Sequence, residues 1–123
     1  MANTFEQLKV YQKSMDIIPK IHTVIKILEA NRDFDLKSQI NRSVVSVSSN
    51  ISEGAASGSY KVYRRHLNIA SDSAAELYTQ LKITFLYGYT RKDDITPLLN
   101  ELESIQQMLH GLIRYTEQKM KTE

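Results

Sequence analysis

The apolar residues of this chain recur at intervals of three and four, and they do so in four successive segments. The first carries Leu8, Tyr11, Met15, Ile18, Ile25 and Leu28, and the second Leu36, Ile40, Val44, Val47 and Ile51. The third carries Tyr63, Leu67, Ala70, Ala74, Leu77 and Leu81, and the fourth Leu98, Leu102, Ile105, Leu109 and Leu112. This spacing places one apolar stripe along each of four helices, whereas a strand would need alternation at period two. Only two prolines and four glycines interrupt 123 residues. The reading is therefore all-α, with helices at about 5–29, 36–57, 60–87 and 92–119 in one domain spanning residues 1–123. Helices of 20 to 28 residues are about 30–40 Å long. Connections this short set neighbours antiparallel, which gives an up-down-up-down four-helix bundle.

Local signals place the ends. Thr4 and Gln7 read as a capping box opening the first helix, and Pro19 predicts a bend or break at residues 15–19. "NRDFD" (31–35) reads as a loop with Asp35 as the N-cap. Gly88 stops the third helix, and Pro97 lies near the start of the fourth. Gly111, inside the fourth helix, reads as a point of close helix approach.

"SVVSVSSNISEGAASGS" (43–59) holds seven serines in seventeen residues. Stepping about 100° per residue from Arg42, Ser46, Ser49, Asn50 and Glu53 fall within about 80° of it. Ile40, Val44, Val47 and Ile51 gather on the opposite side. The stretch is thus an amphipathic helix with a small polar face, ending near Ser57–Gly58–Ser59. It does not match a nucleophile elbow, because "GAASG" sets its serine directly before the second glycine. "GAASGSYK" likewise lacks the glycine spacing of a phosphate-binding loop. Arg42 and Glu53 lie about 16 Å apart along such a helix and cannot pair. Each can reach Arg65, Asp72 or Glu76 on the third segment. A solvated face and an inter-helix or inter-subunit polar network fit this pattern equally.

Other chemistry is sparse. No cysteine is present, and His22, His66 and His110 have no zinc-ligand spacing, so no metal and no cofactor are expected. Asp93–Asp94 suits a helix start, and Glu101 and Glu103 do not face each other. No apolar run approaches the roughly 20 residues that span a bilayer. The N-terminus has no signal-peptide pattern, so a cytoplasmic protein away from membranes is expected. The formal charge is +2, and residues 1–60 and 61–123 each contribute a similar small excess. The candidate nucleic-acid contacts are local: a stripe of Lys9, Lys13 and Lys20, and Lys61, Arg64 and Arg65 within "YKVYRRH" (60–66). That basic and aromatic mix can bind nucleic acid, although an ordinary first turn with solvated arginines explains it more simply.

Five segments in order, "FEQLKVYQKS" (5–14), "LKSQINRSVVSVSSNISEG" (36–54), "HLNIASDSAAELYTQL" (66–81), "YGY" (87–89) and "MLHGLI" (108–113), resemble one family. It comprises the four-helix-bundle proteins encoded by intervening sequences within bacterial large-subunit ribosomal RNA genes, often labelled ribosomal proteins. The family tends to have tryptophan at Tyr11, "NIAEG" for "NISEG" and "LGY" for "YGY". The resemblance implies a bundle that assembles as a homopentameric ring, and it brings no catalytic residues. It relates the chain to accessory proteins of diversity-generating retroelements, which look similar in fold and are thought to bind reverse transcriptase and nucleic acid. Arg42, Asn50, Glu53, Gly54 and Glu76 match the family's recurring polar positions. The expectation is a non-enzymatic oligomer that interacts with nucleic acid, RNA ahead of DNA. The rival is a protein–protein adaptor that recruits a partner enzyme such as a reverse transcriptase.

Overall fold

The computed structural model describes residues 4–122, and its first α-helix starts later than the capping signal implies. Thr4–Gln7 closes as a single 3₁₀ turn, with Leu8 N–H donating to the Phe5 carbonyl at 3.0 Å. Helix α1 then runs Lys9–Ala30 from an extended Leu8 that makes no side-chain cap bond. The turn folds Phe5 back so that its ring meets Tyr11 edge-on, with centroids 5.1 Å apart. Pro19 does not break α1, which is continuous through it. The carbonyl that proline leaves without a helix partner belongs to Met15, four residues earlier, and both residues are exposed. Water can serve that carbonyl, so the cost of the missing bond is low. Met15 also departs from its expected place on the apolar face, being 43% exposed. The buried stripe is Val10, Ser14, Ile17, Ile21, Val24, Ile25 and Leu28, rotated from the sequence pattern so that Tyr11 and Ile18 lie at its margin.

Helix α2 (Phe34–Ala56) begins two residues earlier than expected, and its N-cap is Asp33 instead of Asp35. Asp33 Oδ1 accepts from Leu36 N–H at 3.1 Å, while Asp35 sits in the first turn and accepts from Gln39 Nε2 at 3.0 Å. Between α1 and α2, Arg32 has φ +58°. Arg32 N–H bonds the Glu29 carbonyl and Asp33 N–H the Leu28 carbonyl, which together form a Schellman closure.

Helix α3 spans Tyr60–Leu86 and starts from Ser59, whose Oγ accepts from Val62 N–H at 3.3 Å. It ends in a second Schellman closure. Gly88, at φ +80°, and Tyr89 donate to the Phe85 and Thr84 carbonyls. A residue with a side chain is disfavoured at that φ. Helix α4 covers Lys92–Lys121, so Pro97 lies in its second turn. Asp94 closes its N-terminus by accepting from Arg91 N–H at 2.8 Å.

Each helix packs on its neighbours in order, and α4 also meets α1. The α2–α3 and α3–α4 pairs are the most extensive, and α1–α4 is the loosest. The core is a continuous column that includes Ile21, Leu28, Ile40, Ile51, Leu67, Leu77, Leu81, Leu102 and Leu109, all essentially inaccessible to solvent. Ala70 and Ala74 on α3 and Ser43 and Val47 on α2 are buried residues of modest size. Among the described residues there is no strand, and no helix is long and apolar enough to cross a membrane.

Candidate functional site

The serine-rich face of α2 meets α3 of the same chain. Ser46 Oγ and Ser73 Oγ lie 2.7 Å apart. Asn50 Nδ2 donates to the Ser46 carbonyl at 2.9 Å and to Ser46 Oγ at 3.0 Å. That leaves Asn50 Oδ1, an acceptor, facing His66 Nδ1 at 2.8 Å. Glu53 Oε2 lies 3.5 Å from the same nitrogen. Glu53 therefore reaches His66, and not Arg65, Asp72 or Glu76, the partners considered for it on the third segment. Arg42 points to solvent and bonds only Ser38 Oγ, at 3.4 Å, and Glu76 is exposed without an ion pair among the described residues. The structure thus joins Asn50 and Glu53 and leaves Arg42 and Glu76 apart from them. His66 and Ser73, the α3 members of the ladder, were missed in the sequence because their α2 partners Asn50 and Ser46 lie 16 and 27 residues away and no local spacing links them.

Gly54 completes this contact. A Cβ there would lie 2.9 Å from His66 Cβ and 3.0 Å from Tyr63 Cδ1, so α2 crosses α3 at the distance a glycine allows. The close approach expected of Gly111 does not occur, because a Cβ on it would meet only Arg114 Nη2, at 3.8 Å.

The antiparallel order brings the starts of α1 and α3 and the ends of α2 and α4 to one end of the bundle. Lys9, Lys13, Lys61, Arg64 and Arg65 share that end with Arg114, Lys119 and Lys121, three cations that sequence proximity did not connect to them. Dividing each helix at its midpoint, this end carries eight cations against Glu6, Asp16, Glu53, Asp72 and Glu117 among the described residues. The opposite end is balanced at eight cations and eight carboxylates. Lys20 separates from Lys9 and Lys13: it lies past the midpoint of α1 and pairs with Glu101 Oε1 at 2.6 Å. Arg64 is 3.9 Å from Glu117, whereas Lys9, Lys13, Lys61 and Arg65 form no ion pair among the described residues.

A groove of about 530 Å³ opens at the basic end. Phe5, Leu8, Tyr60, Tyr63, Leu112 and Tyr115 line it, and Gly54, Ala55, Gly58 and Ser59 complete the wall with little or no side chain. Tyr60 and Tyr115 meet edge-on at 6.0 Å, and Lys119 Nζ lies 5.7 Å from the Tyr115 ring centroid. Burial, helped by the neighbouring Tyr115 hydroxyl, pushes the Tyr63 phenol up to about 12. At the other end the surface is apolar in places: Phe34, Leu86 and Tyr87 are each more than half exposed. No group of three or more metal-binding side chains converges among the described residues.

Four helices around one column, with a part-buried polar ladder between two of them and a charged end, define an all-α helical-bundle protein. The chain belongs to the 23S rRNA-intervening sequence protein family, whose model matches residues 6–111. It is similar to a crystal structure from Bacteroides thetaiotaomicron VPI-5482, described as a protein with unknown function from the S23 ribosomal protein family. The two share 27% identity with a TM-score of 0.79, over 85% of this chain and 97% of that one. No curated protein matches the chain.

Proposed function

We propose that the protein is a non-enzymatic oligomer that binds nucleic acid through its basic end. The observation that carries this reading is the gathering of Lys9, Lys13, Lys61, Arg64 and Arg65 with Arg114, Lys119 and Lys121 at one end, against a balanced opposite end. RNA is placed ahead of DNA because the family's description names a ribosomal RNA. Lys20, held by Glu101, is a weaker candidate contact than the rest. A homopentameric ring, the assembly implied by the family resemblance, repeats the basic end five times. Several weak phosphate contacts then act together, and affinity falls steeply with salt.

Filter binding of RNA and DNA at low and moderate salt tests the reading. Retention at low salt that weakens with added salt is expected, and the double variant Lys61→Glu/Arg65→Glu should reduce it at least tenfold. No retention at micromolar protein and low salt overturns it. Light scattering tests the ring, and a monomer mass refutes the pentamer.

A second reading rests on the exposed Phe34, Leu86 and Tyr87 at the other end. Surface of this kind suits an adaptor that recruits a protein partner such as a reverse transcriptase. Co-sedimentation of the two purified proteins without nucleic acid supports the adaptor, and independent sedimentation counts against it.

A further inference from the structure

We propose that the aromatic groove at the basic end receives an unstacked base, so that the protein prefers single-stranded to duplex nucleic acid. The inference rests on the nucleic-acid reading above and adds to it which form of the ligand the site takes. Base stacking needs exposed ring faces, a cavity of suitable size and cations within reach of the phosphates. The groove's 530 Å³ lies within the ~300–1,000 Å³ typical of small-ligand sites. Tyr115 is 44% exposed and Tyr60 is partly exposed. Their rings meet at 74°, so neither covers the other in a parallel stack.

The surrounding charge selects the occupant. Lys119 stands over the Tyr115 ring, and Lys61 and Arg64 follow the lining residues Tyr60 and Tyr63 directly in α3. Ser59 and Tyr60 bring the positive end of the 27-residue α3 to the same mouth. Glu117 offsets only part of this, near Arg64. An apolar segment of another protein would gain from the rings and nothing from these cations. A nucleotide uses both. A duplex keeps its base faces inside the stack and cannot present one to a concave site, so it is left with the cations alone.

The test uses the full chain with a single-stranded oligoribonucleotide carrying one 2-aminopurine, and a duplex of the same length. Wild type should quench the 2-aminopurine on binding. Tyr115→Leu should weaken single-strand binding about tenfold, abolish the quench and leave duplex affinity within twofold. Tyr115→Phe keeps the ring and should retain wild-type behaviour, with circular dichroism showing that each variant is helical. Equal loss in the phenylalanine variant, or single-strand binding unchanged in Tyr115→Leu while Lys61→Glu/Arg65→Glu reduces it, overturns the groove and leaves the basic end standing. Binding of neither form overturns both readings. A change of mass by light scattering in Tyr115→Leu with single-strand affinity intact assigns the groove to a second copy, and overturns this proposal.

Discussion

Gly54 and Gly111 look alike as helical glycines and differ in what surrounds them. Gly54 lies under His66 and Tyr63, so Gly54→Ala must push α2 and α3 apart, at a cost of about 1–3 kcal/mol. Gly111→Ala meets almost nothing and removes a weak helix former, so it should stabilise by up to about 1 kcal/mol. Urea denaturation of both variants checks the opposite signs. Tyr63 supplies a pH dependence at the same scale. Its phenol titrates near 10 when unfolded and at about 12 when folded, so the folded state holds the proton more tightly. Its contribution is complete below pH 10 and is lost as pH rises from 10 to 12. Thermal melts in that range should show a fall in stability that Tyr63→Phe diminishes.

Among the elements, Asp33 has an unusual share of the structure. One carboxylate oxygen caps α2 and the other accepts from the Tyr89 hydroxyl at 3.0 Å, a bond that holds the Tyr89 pKa above its ordinary value. Asp33→Ala removes both and should cost about 1–3 kcal/mol, measured by chemical denaturation, with Asp35→Ala costing much less. Asp33 also shows where the sequence was ambiguous. Two aspartates flank Phe34, and either could cap a helix. What decides between them is the Schellman closure around Arg32, a backbone geometry with no glycine to announce it. The four apolar stripes were legible because burial repeats every turn, and Ser57–Gly58–Ser59 because small turn residues mark a boundary. The rotation of the α1 stripe was not legible, since Met15 and Ile17 are equally apolar and only the neighbouring helices choose between them. Of the bend or break expected at Pro19 no break occurs, and the Met15 carbonyl that the proline leaves without a partner belongs to an exposed residue.

At the scale of the whole molecule, the candidate site was hidden by the order of the chain. Charge is spread evenly along the sequence, and only the alternation of helix direction gathers Lys9, Lys61, Arg65, Arg114 and Lys121 at one end. The members contributed by α4 lie about fifty residues or more from those of α3, so no sequence window contains both.

The ladder from Ser73 through Ser46 and Asn50 to His66 has a consequence for how the protein comes apart. A slip of one turn between α2 and α3 would break these pairings together and drive a side chain into Gly54's contact, so the two helices hold a single alignment and open only jointly. α1 has no comparable seam with α4, the loosest of the helix pairs, where Lys20–Glu101 lies at the surface. Native-state hydrogen exchange should therefore find the central amides of α2 and α3 opening with the global free energy, and those of α1 exchanging earlier. α1 would then detach first, leaving the α2–α3 hairpin as the last structure to be lost and the natural seed for refolding.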